Sequence, residues 1–266
     1  MKLPVLAIDE VQRLFSTRRG LLSLLGFCLI WAAVLMYAVL PASRFFKGAS
    51  ESGLLELLSP GGLAVFQAWP VPEMAVYWLF SLYMLPFLSI VTAADQTASD
   101  RSRGTLRYLV LRCSRLQIFF GRYIGQVIIV LLVILATLAS VLGIVAFRSI
   151  DQLPQALADS PVIIVNLILV LAPYIALMAL VSILARSARQ ATIFALIIWL
   201  AVSFLVSYLK AYFPDLHLLE WVLPGSQISD LILLSNWQTL ALAPVPIVHT
   251  FVLLCIGAVV MKRRDL

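Results

Sequence analysis

Residues 95–122 read DQTASDRSRGTLRYLVLRCSRLQIFFGR, and they separate two apolar runs at 75–94 and 123–147. Six arginines lie in this segment, interspersed with aliphatic and aromatic residues. Each flanking run has the roughly 20 residues that a helix needs to cross the hydrocarbon core of a bilayer. The segment therefore predicts a basic loop between two membrane-spanning helices.

The composition agrees with a chain whose solvent is mostly lipid. Of 266 residues, 62% are hydrophobic and 12% charged, and the mean hydropathy is +1.03, whereas soluble domains are roughly 45–50% apolar and about 25% charged. The apolar runs are continuous, which excludes the alternating pattern of a membrane β-barrel. We predict an all-α membrane protein with a single transmembrane domain over 1–266. Its six transmembrane helices are expected at about 21–40, 75–94, 123–147, 162–185, 190–209 and 245–261.

The distribution of charge predicts the orientation. With the N-terminus inside, fifteen of the nineteen basic residues fall in cytoplasmic segments, and eight of the thirteen acidic residues fall outside. Lysine and arginine concentrate on the cytoplasmic side of membrane proteins. We therefore expect a multi-pass membrane protein with both termini in the cytoplasm. Membrane topology explains the excess of basic over acidic residues, so no nucleic-acid partner is predicted.

Segments at the membrane surface carry further expectations. Residues 3–20 alternate apolar and charged positions at helical spacing, which predicts an amphipathic helix lying on membrane lipid at the interface. Trp69, Tyr77 and Trp78 fit the aromatic belt at the outer interface. The outer segment 210–244 is too broken by polar residues to span twice, and short helices suit it.

The basic loop has helix signals of its own. Leu106, Leu109 and Val110 are spaced i, i+3 and i+4, which gives one apolar stripe beside basic flanks. Gly104 is expected to end or kink a preceding helix, and Ser114 is a candidate N-cap for the helix that leads into the third span.

The loop also resembles a known family. An acidic residue, Arg-x-x-Gly-Thr-Leu, a later Ser-Arg and a Gly-Arg that opens a span are similar to permease subunits of ATP-binding-cassette transporters, in the exporter-like type 2 permease class. The matching positions are Asp100, Arg101, Gly104, Thr105, Leu106, Leu109, Ser114, Arg115, Gly121 and Arg122. The family often has a proline before its Ser-Arg pair, where this chain has Arg112-Cys113. The six-span layout agrees over the full length.

The resemblance implies a division of labour between chains. A cytoplasmic coupling helix within 95–122 would sit in a groove of a separate ABC ATPase subunit, and ATP and Mg²⁺ would bind to that ATPase, not to this non-catalytic chain. A second copy of this permease would form a homodimer with the first, together with two ATPase subunits, in the cytoplasmic (inner) membrane of a bacterium. An extracytoplasmic accessory protein could bind the outer loops. The function implied is the movement or extrusion of a substrate across the membrane.

Two alternatives remain open at this point. The same basic loop would serve a non-transporting scaffold, or an assembly or maturation factor, that recruits a cytoplasmic partner. An intramembrane enzyme would need a serine or metal constellation, and no Gly-x-Ser-x-Gly surrounds Ser182, Ser203 or Ser207.

Motifs for chemistry within this chain are missing from the sequence. No Gly-x4-Gly-Lys-Ser/Thr phosphate loop occurs. His217 and His249 have no partners at metal-ligand spacing. We therefore predict no catalytic, cofactor-binding or metal-binding residues. Pro86 and Pro173 lie within spans and are expected to kink them.

Overall fold

A computed structural model describes residues 3–41, 69–94, 96–98, 100, 104–212, 221, 223–234 and 236–263, and these residues form helices, turns and no strands. The α-helices, in chain order, are α1 Leu3–Ser16, α2 Arg18–Val34, α3 Pro72–Ala93, α4 Thr105–Arg112, α5 Arg115–Arg148, α6 Leu153–Leu184, α7 Ala188–Tyr212, α8 Ile228–Leu233 and α9 Pro244–Arg263. A π-helical turn, Leu35–Val39, continues α2, and 3-10 turns lie at Ile150–Gln152 and Asn236–Leu242. The predicted all-α fold is confirmed.

Six of these helical segments are long and apolar enough to cross a membrane, as predicted. They are Gly20–Val39, Pro72–Ala93, Arg115–Arg148, Ile150–Leu184, Ala188–Leu209 and Pro244–Arg263. The fourth span was predicted to begin at 162, and its helix begins at Leu153 instead. Ser160 and Pro161 look like loop residues in the sequence. In the structure the Ser160 hydroxyl donates to the Ala156 carbonyl at 2.7 Å, and the helix continues through both.

The central helix is α6, which packs against α3, α5, α7 and α9. Most of its middle residues are buried, while the outer surfaces of α2, α7 and α9 expose many large apolar side chains. Because apolar surface is compatible with lipid, this pattern fits a bundle with one buried helix and peripheral helices that face the bilayer or another protein.

The aromatic-belt expectation was wrong for its three residues. Trp69, Tyr77 and Trp78 are 2%, 0% and 0% exposed and belong to the main hydrophobic cluster. The Tyr77 hydroxyl reaches Thr137 Oγ1 at 3.1 Å, so its polar end has a partner inside the protein. An amphipathic aromatic residue near a span end has the same sequence signal whether its polar atom meets water or another helix.

An ion pair ties the non-cytoplasmic ends of the first three spans, in the predicted orientation. Arg148, the last residue of α5, donates through Nη1 to Glu73 Oε1 at 2.9 Å and to the Leu40 carbonyl at 2.8 Å. The Glu73 side chain is 2% exposed. A buried carboxylate needs a paired cation to offset its lost hydration, so Arg148 fixes this end of α5 against α3.

Helix α1 is amphipathic, as predicted, but its buried face packs against protein. Leu6, Ala7 and Glu10 are buried on α5, whereas Val5 and Ile8 are exposed. The close approach depends on Gly125 of α5, because a Cβ there would lie 2.7 Å from the Glu10 Cβ and 3.0 Å from the Ala7 carbonyl oxygen.

Replacement of Gly125 by valine should therefore displace α1. We expect the Gly125→Val variant to weaken docking of residues 3–16 by about 1–3 kcal/mol, the usual cost of overpacking, and to speed backbone hydrogen exchange there. Gly143→Val is the matched control, since a Cβ at Gly143 of the same helix meets nothing within 4 Å. Equal exchange of α1 in the two variants would contradict the close approach.

Candidate coupling site

Helix α4 is a short helix set between two defined turns. It begins after Gly104, whose φ of 72° and ψ of 2° place it in the left-handed region, where a Cβ is unfavourable. It ends at Arg112, and the next residue, Cys113, is extended. Ser114 then caps α5: its hydroxyl accepts from Gln117 N at 3.3 Å, and Gln117 Oε1 accepts from Ser114 N at 3.0 Å. The predicted N-cap is confirmed, and the two turns set the direction of α4 relative to α5.

One face of α4 packs on the bundle. Leu109 and Val110 pack against a hydrophobic cluster that includes Leu6 of α1 and Phe119 of α5. Two residues of the predicted apolar stripe therefore hold α4 to its own chain. The side chain of Leu106 and the residues Arg101 and Arg103 lie outside the described part of the structure.

The opposite face of α4 is exposed and partly apolar. Tyr108 and Leu111 are 74% and 84% exposed, and Arg112 is also exposed. Their spacing of three and four residues puts them on one side of the helix. Tyr108 and Leu111 were not predicted, because helical spacing made only the stripe of Leu106, Leu109 and Val110 evident. Exposed large apolar residues beside charged ones are typical of a protein-binding surface.

A buried ionic cluster lies next to α4. Arg122 of α5 is 3% exposed and donates through Nη1 to Glu10 Oε2 and through Nη2 to Asp100 Oδ2. Arg13 Nη1 lies 3.5 Å from Asp100 Oδ1 and 4.0 Å from Glu10 Oε2. Two guanidinium groups thus face two carboxylates, which is the pairing that buried charges require. We call these four residues the Arg122 cluster.

The Arg122 cluster is joined directly to α4. The Thr105 hydroxyl, on the first residue of α4, lies 3.2 Å from both Asp100 Oδ1 and the Asp100 carbonyl oxygen. Asp100 therefore connects the start of α4 to Arg122, seven residues after the start of α5. At the start of α5, Arg115 Nη1 donates to the Lys262 carbonyl near the end of α9 at 3.1 Å.

The predicted loop residues are therefore only partly brought together. Asp100, Thr105 and Arg122 form one connected group, while Ser114 and Arg115 serve the start of α5. Gly121 is buried within α5, and Leu109 faces the bundle. Glu10 and Arg13 were not predicted. The available signal was that Glu10 follows Leu6 by four residues and so shares its buried face.

The environment of Glu10 changes its acidity. Burial raises the pKa of Glu10 from its ordinary 4.5 to about 7, while Arg122 and Arg13 act in the opposite direction, and Asp100 and Asp9 add to the rise. The folded protein then holds this proton at pH values where the unfolded chain has released it. The contribution of Glu10 to stability is therefore lost as pH rises from about 4.5 to about 7.

Stability should show this dependence on Glu10. Between about pH 5 and pH 8 we expect the melting temperature of the purified chain to fall more for the native protein than for Glu10→Gln, whose amide cannot ionise. Asp151→Asn, an exposed change in the turn between α5 and α6, is the control and should keep the native slope. Parallel pH profiles for the native protein and Glu10→Gln would refute the raised pKa.

Comparison with known proteins places the chain at the level of a family. A family model described as ABC-2 family transporter protein matches residues 5–266, which is nearly the whole chain. No curated protein matches the sequence. Within the described residues, no group of three His, Cys, Asp or Glu side chains is arranged to hold a metal ion.

Proposed function

This chain belongs to the ABC-2 transporter family, and we propose that it uses the energy of a separate ATPase subunit to move or extrude a substrate across the bacterial inner membrane. Membership makes it a multi-pass membrane component of an ABC transporter, in a family whose permeases are generally non-catalytic. The finer proposal depends on one observation, namely that the exposed face of α4 adjoins the Arg122 cluster.

The exposed face of α4 is proposed to bind the ATPase. Tyr108 and Leu111 project from a helix whose other face is fixed by Leu109 and Val110. An amphipathic helix with aromatic and aliphatic anchors is suited to a groove on a partner protein. In this complex ATP and Mg²⁺ bind the ATPase, and α4 acts as the coupling helix.

The Arg122 cluster is proposed to transmit the movement of α4. A displacement of α4 acts on Thr105 and, through Asp100, on Arg122. Because Arg122 belongs to a continuous helix of 34 residues, the displacement reaches the membrane through α5. Glu10 carries the same displacement to α1.

The assembly is proposed to contain two copies of this chain and two ATPase subunits, with both termini in the cytoplasm. The exposed apolar surface of α7, which includes Phe194, Ile197 and Phe204, supports a second membrane-embedded partner as well as lipid contact. An accessory protein on the non-cytoplasmic side remains part of the proposal for the outer segments.

The first experiment tests the docking face. In a pull-down of the cognate ATPase by the detergent-solubilised chain, we expect Leu111→Asp to weaken association at least about tenfold, as loss of a central apolar anchor does. Phe147→Asp is the matched control, since Phe147 is 97% exposed at the far end of α5. Undiminished association of Leu111→Asp would rule out this face of α4.

The second experiment tests transmission. Thr105→Val preserves the shape of the side chain and removes the hydroxyl that contacts Asp100. We expect normal association with the ATPase. The change that the permease causes in the ATPase's turnover rate should be about fivefold smaller, since one hydrogen bond is worth about 1 kcal/mol. Thr192→Val is the control, because that hydroxyl bonds to the Ala188 carbonyl of its own helix.

The pattern of results separates the proposal from a scaffold. A transporter subunit predicts that Thr105→Val uncouples turnover while association persists. If the chain binds the ATPase and turnover is indifferent to the intact chain, the protein is a recruiting scaffold and the proposed function fails.

A further inference from the structure

Three adjoining cavities surround Trp199, in the middle of α7. Their volumes are about 270, 450 and 440 Å³, and Trp199 lines all three. Small-molecule sites usually occupy about 300–1,000 Å³ and combine apolar walls with a few polar groups. Together the cavities form a groove of this class, which we call the Trp199 groove.

The walls of the Trp199 groove are fixed by specific contacts. Trp199 stacks on Tyr174 of α6 with ring centroids 5.7 Å apart, and the Tyr174 hydroxyl donates to the Pro224 carbonyl at 3.1 Å. Gly225 adopts a φ of 87° and leaves no room for a Cβ beside the Tyr174 hydroxyl. Residues 223–226, which line the groove, are therefore held against α6. The volume of the groove does not depend on the position of a mobile side chain.

The chemistry of the groove changes along its length. The smallest cavity lies between α7 and α9 and is lined by Ile198, Val202, Val248 and Val252. The cavity at the other end is lined by Ser203, Ser207, Ser226, Ser229 and Asp230. In the proposed orientation α7 runs outward, so the serine-rich cavity, which reaches Ser207, extends farther along α7 toward the outer surface than the apolar cavity, which reaches Val202.

Two polar atoms in the groove lack partners. Ser226 Oγ and His249 Nδ1 are buried and make no hydrogen bond within the described part of the protein. Ser226 lines two of the cavities and His249 the apolar one. Buried polar atoms are nearly always paired, so the wall of the groove holds hydrogen-bonding capacity that the described residues leave unused.

We propose that the Trp199 groove binds a single-chain amphiphile with a hydrogen-bond-donating, non-anionic head. The aliphatic chain lies along Val202 and Val252, and the head lies among the serines. Among the described lining residues Asp230 carries the only carboxylate, which accepts hydrogen bonds from hydroxyl or ammonium groups and repels anions. As a cargo site, the groove rests on the proposed transport function. As a binding site, it can be tested separately.

The test is photo-crosslinking of the full chain in nanodiscs. Three dodecyl amphiphiles, each with a diazirine on the chain, carry a primary ammonium, a glucoside or a sulfate head. We expect saturable labelling around Trp199, Pro224 and Val252 by the ammonium or glucoside probe, at least about fivefold above the sulfate probe. Asp230→Asn separates the two head types, because it weakens binding of an ammonium head and spares a glucoside.

Matched variants show whether labelling comes from the groove. Val202→Phe fills the apolar cavity and should remove the saturable labelling, whereas Leu205→Phe, on the exposed side of the same helix, should leave it. Unsaturable labelling, preference for the sulfate head or equal labelling of the two variants would overturn the proposal. Any of these results alongside intact ATPase coupling would reject the groove and leave the proposed function standing.

Discussion

The cytoplasmic end of this protein depends on one buried guanidinium group. Arg122 is almost fully removed from solvent and contacts carboxylates from two separate parts of the chain, Glu10 and Asp100. The lost hydration of both carboxylates is offset mainly by Arg122, which lies closer to each of them than Arg13 does, and Arg122 would not be stable at this burial without them. One side chain of α5 therefore contacts residues from helix α1 and from the segment between α3 and α4, and it fixes the positions of both.

The same helix is fixed by an arginine near its other end. Arg148 pairs with Glu73 and a carbonyl of the first span, 26 residues after Arg122 (148 − 122), or about 39 Å along a helix. Between these two points α5 is continuous and largely apolar. Helix α5 is thus in contact with other parts of the chain at both ends, and a force on the Arg122 cluster is expected to move the whole helix as one unit.

The sequence specified the parts of this fold that depend on local pattern. Continuous apolar runs predicted the six spans, and Ser114 predicted a helix start, because both signals lie within a few turns of chain. The Arg122 cluster joins residues 112 positions apart, Glu10 and Arg122, and no periodicity reports such a contact. The outward face of α4 was missed for a related reason: its two faces are both partly apolar, and only packing decides which one the bundle covers.

The π-helical turn at Leu35–Val39 has a consequence for the phase of the first span. In this turn the Leu40 amide bonds to the Leu35 carbonyl, five residues back instead of four. An additional residue in one turn rotates all that follows by about 100°, since an α-helix advances 3.6 residues per turn. This rotation brings Val39 into the core at 0% exposure and turns the Leu40 carbonyl toward Arg148. The first span thus contains one residue more than a regular α-helix of the same length. That additional residue sets the direction in which Leu40 faces at the end of the span.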